Sequence, residues 1–168
     1  IFFRQAVKQV AWAMNLGGIM ATTKQQLGDF GENFVSKNVN CPSCKRVERS
    51  LRLLPTNFKC ADLICDFCGY LAQVKSVSVN DISHLPKQIP GAAWGPQKER
   101  MQAGIYFPLY IVAKDPSGKV GVYYLPKDLQ TEEMFIARKP LSVTAKRAGW
   151  QGFMINLEAG TSAPVRIL

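Results

Sequence analysis

Two pairs of closely spaced cysteines constrain the fold of this chain more than any other feature of its sequence. Cys41 and Cys44 form the first Cys-x2-Cys pair, and Cys65 and Cys68 form the second, with twenty residues between the pairs. This spacing is typical of a structural zinc site with four thiolates. Such a closed site leaves no position for water or substrate, so the zinc is expected to stabilise the fold. The less favoured alternative is a set of buried free thiols.

The number of cysteines, the hydropathy and the overall charge indicate the compartment of the protein and the kind of partner it binds. Cys60 remains outside the two pairs, and we expect it to pack in a sheet. Two closely spaced thiol pairs in an odd total of five cysteines favour metal binding over disulfide formation. They predict a reducing, cytoplasmic setting. No run of about 18 apolar residues occurs, so neither a membrane span nor a membrane partner is expected. Lys and Arg number 21 against 12 Asp and Glu, which favours a polyanionic partner.

The first residues are expected to lie outside the folded domain. Residues 1–19 contain no acidic side chain and precede Met20, which is the expected start of translation. We therefore interpret 1–19 as a translated upstream or disordered extension and 20–168 as one domain. A signal peptide, with Arg4 and Lys8 before an apolar patch, is the alternative. Without this segment the net charge is 19 − 12 = +7, so the basic character persists.

Local patterns predict the secondary structure. Thr22 or Thr23 can cap a helix over 23–38, because apolar residues recur there at helical spacing. Alternating apolar residues and turn signals then predict strands and one more helix. The predicted strands include Leu51 and Leu53 and cover 58–64, 70–79, 105–113 and 119–125, with an irregular loop at 80–97 and a short helix at 97–103.

The register of one hairpin brings three polar side chains together. If its turn is centred between Phe67 and Cys68, Asp62 lies opposite Gln73, and Lys75 shares their face while Val74 points the other way. A carboxylate, an amide oxygen and an ammonium group suit the hydrolysis of a phosphodiester with Mg²⁺. The alternative is an ion pair on the protein surface.

Several stretches of the chain resemble a known nuclease family. The set Asp62…Gln73-Val74-Lys75 after a helix with GDFGENFV is similar to the PD-(D/E)xK nuclease superfamily, which includes members with Gln in place of Glu. More specifically, the chain resembles the catalytic domain of DpnI-type restriction endonucleases. The stretches that carry this resemblance, in order, are CPSC, ADLICDFCGYLAQVKS, LPKDL and RKPLSVTAKRAGWQGFMINL.

The resemblance implies a fold, an activity and site residues. The fold is an α/β domain with a mixed sheet in the order α-β-β-β-α-β and an embedded zinc knuckle. The activity is that of a type II, methyl-directed deoxyribonuclease, which uses Mg²⁺ to cut double-stranded DNA at GATC sites with N6-methyladenine. By position, Asp62, Gln73 and Val74 hold the Mg²⁺, Lys75 is the catalytic lysine, and Glu32 on the first helix assists the metal. The alternative for Glu32 is a solvated helix residue.

Two departures from the resembled enzymes affect these expectations. Those enzymes carry Glu where this chain carries Gln73, so the site has one negative charge fewer and is expected to hold its metal more weakly. They also continue into a winged-helix domain that contributes to the recognition of methylated DNA. We expect that domain to be absent here, which leaves the sequence specificity open.

The C-terminal part supplies the candidate DNA contacts. The residues expected to position the duplex are Arg138, Lys139, Lys146, Arg147 and Trp150. The alternative for the four basic residues is an ordinary solvated face. The alternative for Trp150 is a position in the core, and for this residue it is the favoured one. His84 is expected to be exposed. Because it is the only histidine, HNH nucleases and Ser-His-Asp hydrolases are poor rivals.

Two rival functions remain open. The first is a non-catalytic zinc-ribbon protein that binds DNA, and the second is a repair or resolvase-like nuclease without methyl specificity. A monomer is the favoured oligomeric state.

Overall fold

The computed structural model describes residues 22–56 and 58–168. The interpretation of residues 1–19 and of Met20 falls outside these ranges. The first helix, α1, covers Thr23–Asn38 as predicted. Thr22 caps it, because its side chain accepts a hydrogen bond from the Gln25 amide while the Gln25 side chain accepts one from the Thr22 amide.

In the described part of the chain, nine strands and a second α-helix follow α1, together with two short 3-10 helices at Lys127–Leu129 and Glu132–Met134. In chain order the strands and the α-helix are β1 (Leu51–Leu53), β2 (Leu63–Cys65), β3 (Leu71–Ser78), β4 (Gln88–Ala93), α2 (Trp94–Gln102), β5 (Leu109–Lys114), β6 (Val120–Leu125), β7 (Phe135–Ala137), β8 (Gly152–Asn156) and β9 (Val165–Arg166). None of the described helices is long and apolar enough to cross a membrane.

The strands form two sheets. The main sheet has the order β1-β2-β3-β5-β6-β9, and the small sheet has the order β4-β8-β7. In the main sheet β3 and β5 are parallel, while the other neighbours are antiparallel. Strand β4 belongs to the small sheet. The two α-helices and the main-sheet strands up to β5 therefore follow one another along the chain in the order α1, β1, β2, β3, α2, β5. This is the predicted α-β-β-β-α-β order, and the mixed α/β fold is confirmed.

Each face of the main sheet has its own apolar core. Ala72 and Val74 of β3 pack with α1 residues such as Val35, whereas Leu109 and Ile111 of β5 pack on the opposite face against the small sheet. Successive strand residues alternate between these faces. The odd-numbered residues of β3 and β5 therefore face away from α1.

Helix α1 lies unusually close to β3. Gly31 is buried, and a Cβ built on it would overlap Ser76 Oγ and lie 3.2 Å from Ser76 Cβ. By contrast, a Cβ on Gly28 in the same helix would meet nothing within 4 Å. The missing side chain at position 31 lets the helix settle on the strand, which places the neighbouring Glu32 at the sheet.

Two predictions for connecting segments were wrong. The strand predicted over 58–64 begins only at Leu63, because Leu53 pairs with Leu63 and the chain between them must reverse direction. Cys60 lies in this connection, outside the sheet, with a left-handed φ of 66°. The sheet position expected for it was therefore also wrong.

The loop predicted over 80–97 contains β4, and α2 begins at Trp94 rather than at residue 97. Pro90 and Gly91 are local turn signals, but Pro90 is exposed and the register shifts between Pro90 and Ala93. An irregularity of this kind lets a strand accommodate proline. Ile89 is buried in the core of the small sheet, which supplies the burial that holds β4 in place.

Candidate active site and metal centre

The four paired cysteines meet in space. The sulfur atoms of Cys41, Cys44, Cys65 and Cys68 all lie within 4.8 Å of one another. Cys41 Sγ is 3.6 Å from Cys68 Sγ, and Cys44 Sγ is 3.9 Å from Cys65 Sγ. Tetrahedral zinc with Zn–S bonds of about 2.3 Å places its sulfurs roughly 3.8 Å apart. The four cysteines therefore fit a zinc ion, whereas Cys60 lies outside the group.

Polar groups around these sulfurs favour the thiolate form at Cys65. Burial raises the pKa of this thiol, but the Ser50 hydroxyl and the backbone amides of Cys68 and Phe67 have the larger combined effect and lower it. Ser50 is itself buried, with its hydroxyl 3.2 Å from Cys65 Sγ. In the same group burial raises the pKa of the Cys41 thiol to about 12, so the two buried thiols shift in opposite directions.

The predicted register of the β2–β3 hairpin is confirmed for the two pairs next to its turn, Leu63 with Ala72 and Ile64 with Leu71. Beyond them the ladder is irregular, because the Asp62 amide donates to the carbonyl of Ala72, the partner of Leu63, at 2.9 Å. Because Cys65 and Cys68 lie at the turn of this hairpin, the cysteine group, Asp62 and Gln73 belong to one short unit.

The Asp62 carboxylate is held against β3. Its Oδ2 accepts a hydrogen bond from the Val74 amide at 2.7 Å. The Val74 side chain lies in the core under α1, so the face with Gln73 and Lys75 is the opposite one, as predicted. Gln73 is 7% exposed, and Lys75 is half-buried. No described carboxylate forms an ion pair with Lys75.

Glu32 reaches the same region from α1. Burial, followed by the charges of the Asp62 and Asp29 carboxylates, raises the pKa of Glu32 to about 7, although the Lys75 ammonium opposes the shift. The charges of Asp62 and Lys75 therefore act on the Glu32 carboxylate from the adjoining strands.

The basic residues of the C-terminal part share one loop. Arg138, Lys139, Lys146 and Arg147 are all exposed in the segment that joins β7 to β8. The Arg147 guanidinium lies over the Trp150 ring, 4.7 Å from its centroid. Trp150 is half-buried against Gly152 and not part of either core cluster, so the core position favoured for it was wrong. His84 is exposed, as predicted, and pairs with Asp81 at 2.9 Å.

One residue near the site was missed by the sequence predictions. Arg100 lies in α2, and its charge, like those of Lys75 and Asp62, acts on the Cys60 thiol. Nothing in the local pattern of α2 distinguishes Arg100 from its neighbours Lys98 and Glu99. Its position depends on how α2 packs on the sheet, which no short-range signal shows.

Comparison with known families agrees with the geometry. The family model described as "DpnI: Dam-replacing family" matches residues 9–166. The match contains both cysteine pairs, the hairpin with Asp62 and Lys75, helix α2 and the basic loop. It supports a restriction-type endonuclease that acts on DNA. Because it covers nearly the whole chain, this protein belongs to the DpnI, or Dam-replacing, family.

Proposed function

We propose that this protein hydrolyses double-stranded DNA with Mg²⁺ at Asp62, Gln73 and Lys75, and that it is directed at GATC sites with N6-methyladenine. The observation that supports the catalytic part is the hydrogen bond from the Val74 amide to the Asp62 carboxylate, at the strand residue between Gln73 and Lys75. The type II, methyl-directed activity follows from the family resemblance. Zn²⁺ at the four cysteines has a structural role.

The donors at the site fit a hard divalent cation. Mg²⁺ prefers oxygen ligands and keeps several waters, so it needs few protein groups. The residues that would hold it are Asp62, Gln73 and Val74, the last through its backbone carbonyl, with Glu32 as an additional oxygen donor. When bound, the ion polarises the scissile phosphate and offsets the negative charge that develops during in-line attack.

Besides the charge of the Mg²⁺ ion, the candidate site has a positive charge from the protein itself, which is the Lys75 ammonium group. Without a described carboxylate partner, its ammonium group is free to contact a phosphate oxygen. In a half-buried site this charge is worth more than it would be in water. The hydrogen bond from the Val74 amide fixes one Asp62 oxygen and so orients the other toward the site.

The basic loop between β7 and β8 positions the duplex. Its exposed Arg and Lys side chains neutralise phosphates without reading the sequence. Trp150 presents an aromatic surface beside Arg147, and we assign it the contact with the adenine methyl group. A methyl group adds apolar area that an aromatic ring can cover.

Plasmid cleavage tests the proposed function. Plasmid DNA from an adenine-methylating host and from a non-methylating host is incubated with the purified protein in Mg²⁺. We expect cleavage of the methylated plasmid alone, and its loss with Trp150→Ala. Equal cleavage of both plasmids would remove the methyl specificity and leave a general nuclease. Binding without cleavage of either plasmid would favour a non-catalytic DNA-binding protein.

Gln73→Glu should strengthen the binding of Mg²⁺ at the candidate site. The substitution adds a negative charge beside Asp62, so the Mg²⁺ concentration that gives half-maximal cleavage should fall by about tenfold, or about 1.4 kcal/mol. The measurement is the initial cleavage rate across an Mg²⁺ titration. Gln88→Glu, an exposed residue of β4, is the matched control and should leave the titration unchanged. An unaltered titration for Gln73→Glu would remove Gln73 from the metal site.

A further inference from the structure

The turn that joins Cys65 to Cys68 presents an aromatic ring to solvent. Phe67 is 65% exposed, and the Arg46 guanidinium lies over its ring, with Cζ 5.0 Å from the ring centroid. This distance is within the range of a cation–π contact. One exposed apolar side chain is common on protein surfaces, but here the ring is held beside a positive charge. The pair offers a flat apolar surface and a cation at the same place.

Basic side chains gather around this turn. Arg52 contacts it from β1, with Nε 2.8 Å from Asp66 Oδ2. Lys45 lies next to Arg46 in the chain and is exposed, and the ion pairs among the described residues do not include it. We refer to Lys45, Arg46, Arg52 and Phe67 as the knuckle surface.

Positive charge predominates in the segment that carries the knuckle surface. The described part of 42–68 exposes five basic side chains and two acidic ones. The basic ones are Lys45, Arg46, Arg49, Arg52 and Lys59, and the acidic ones are Glu48 and Asp66. Of these, Arg49 donates to the Asn38 carbonyl at 2.7 Å and is thereby tied to the end of α1. The excess attracts a polyanion, and it would repel the same surface of a second copy of the chain.

The two ion pairs of the knuckle surface can open for another anion. Arg46 Nη2 is 2.6 Å from Glu48 Oε2, and the Glu48 side chain is 75% exposed. Arg52 and Asp66 are exposed as well. Exposed ion pairs contribute little stability, because water and salt compete for both partners. A phosphate can therefore replace either carboxylate at small cost.

The knuckle surface belongs to the hairpin that follows Asp62. Asp62 lies three residues before Cys65, so their Cα atoms are no more than about 11 Å apart. Three base pairs of duplex DNA span about the same distance, at about 3.4 Å each. A duplex with a phosphate at Asp62 therefore passes close enough for the knuckle surface to contact its backbone.

We propose that the knuckle surface binds the sugar-phosphate backbone of duplex DNA, with its three basic side chains on phosphates and the Phe67 ring against a deoxyribose. The inference rests on the DNA-binding part of the proposed function and does not require that the DNA is cut. It adds a DNA contact outside the basic loop between β7 and β8. The zinc ion would then hold a DNA-binding surface in shape as well as the hairpin.

The salt dependence of DNA binding measures the phosphate contacts. A fluorescent duplex is titrated with protein between about 50 and 200 mM KCl, with Ca²⁺ in place of Mg²⁺ to prevent cleavage. Lys45→Met should lower the slope of log affinity against log salt by about 0.9, which is the loss of one phosphate contact. The loss should be equal on methylated and unmethylated GATC duplexes, because backbone contacts carry no sequence information.

Lys119→Met is the matched control. Lys119 is also exposed, and the ion pairs among the described residues do not include it. It lies in the turn between β5 and β6. Because β5 runs parallel to β3 and ends beside Ser78, this turn is at the end of the sheet away from the cysteines. Its slope should equal that of the wild type.

Glu48→Gln supplies a readout that a merely structural ion pair would not give. It frees the Arg46 guanidinium from its carboxylate, so the affinity for either duplex should rise by about threefold. Glu158→Gln removes the carboxylate of the exposed ion pair with Lys87 and should leave the affinity unchanged.

Phe67→Ala should lower the affinity by about threefold with an unchanged slope, because it removes apolar contact area and no charge. Zinc content and thermal unfolding are measured for every variant, and both should match the wild type. They show that a change in binding does not come from loss of the zinc site.

The outcomes distinguish failure of this inference from failure of the proposed function. If the wild type binds and cuts DNA and Lys45→Met, Glu48→Gln and Phe67→Ala all bind as it does, the inference is overturned and the nuclease stands. If Phe67→Ala instead converts a dimer into monomers in sedimentation and leaves DNA binding unchanged, the surface belongs to a second copy and the inference is overturned. If the expected binding changes occur but no plasmid is cut in Mg²⁺, the inference stands and the nuclease is refuted.

Discussion

Asp62→Asn and Lys75→Ala should each lower the rate of DNA cleavage by roughly 10³-fold, which corresponds to about 4 kcal/mol of activation free energy. Asparagine has nearly the shape of aspartate and can still accept the hydrogen bond from the Val74 amide, so the hairpin should remain intact. What it removes is the negative charge that would hold the cation. Lys75→Ala removes the opposite charge, which would stabilise the phosphate in the transition state.

The measurement is the single-turnover cleavage of methylated plasmid at saturating protein and Mg²⁺. Lys87→Ala is the matched control, because Lys87 is an exposed lysine that pairs with Glu158 at the surface. It should cut at the wild-type rate. DNA binding by both site variants should persist, since the basic loop is unchanged. Cleavage by either variant at the control rate would contradict the proposed catalytic role of that residue.

Loss of zinc should unfold the domain. Binding at a structural four-thiolate site contributes about 10–16 kcal/mol in small zinc domains, while the whole stability of a domain is about 5–15 kcal/mol. Removing the ion leaves Cys41 and Cys65 buried with no partner other than thiols and nearby hydroxyl or amide groups. The β2–β3 hairpin would lose the closure of its turn, and the alignment of Asp62 with Gln73 would be lost with it.

Cys41→Ser tests this expectation when zinc content and thermal unfolding are measured together. We expect about one equivalent of zinc in the wild type and a strong reduction, with loss of the cooperative unfolding transition, in the variant. Cys60→Ser should keep both, because Cys60 lies outside the four-cysteine group. Excess Mg²⁺ in every sample shows that the effect is not due to the catalytic cation. A cooperative transition of unchanged midpoint in Cys41→Ser would contradict the structural role.

The parts of the fold that were predicted correctly are those with local causes. Helix α1 follows from the cap at Thr22 and a helical apolar pattern, and the hairpin of β5 and β6 follows from a turn sequence. Strand β4 was missed because its partner β8 is distant in the chain. The burial of Ile89 against that partner outweighs the local preference of Pro90 and Gly91 for a turn.

The residues of the candidate site also divide into those with a local sequence signal and those placed by tertiary packing. Asp62, Gln73 and Lys75 were placed on one face because the length of a single short turn decides their register. The four cysteines follow from spacing alone. Arg100 depends on the packing of α2, and Glu32 was assigned to the site only through the family resemblance, because its approach to the sheet depends on Gly31. Contacts of this kind arise from tertiary structure, so a single sequence carries no direct signal for them.

The pairing of Leu63 with Ala72 limits how the length of this chain can change during evolution. An insertion or deletion of one residue between Asp62 and Gln73 would shift the pairing by one position and turn Gln73 and Lys75 toward α1. We therefore expect homologous sequences to keep this interval at constant length. Gaps in their alignment should instead fall in the mostly exposed segment 80–87, to which the proposed function assigns no role.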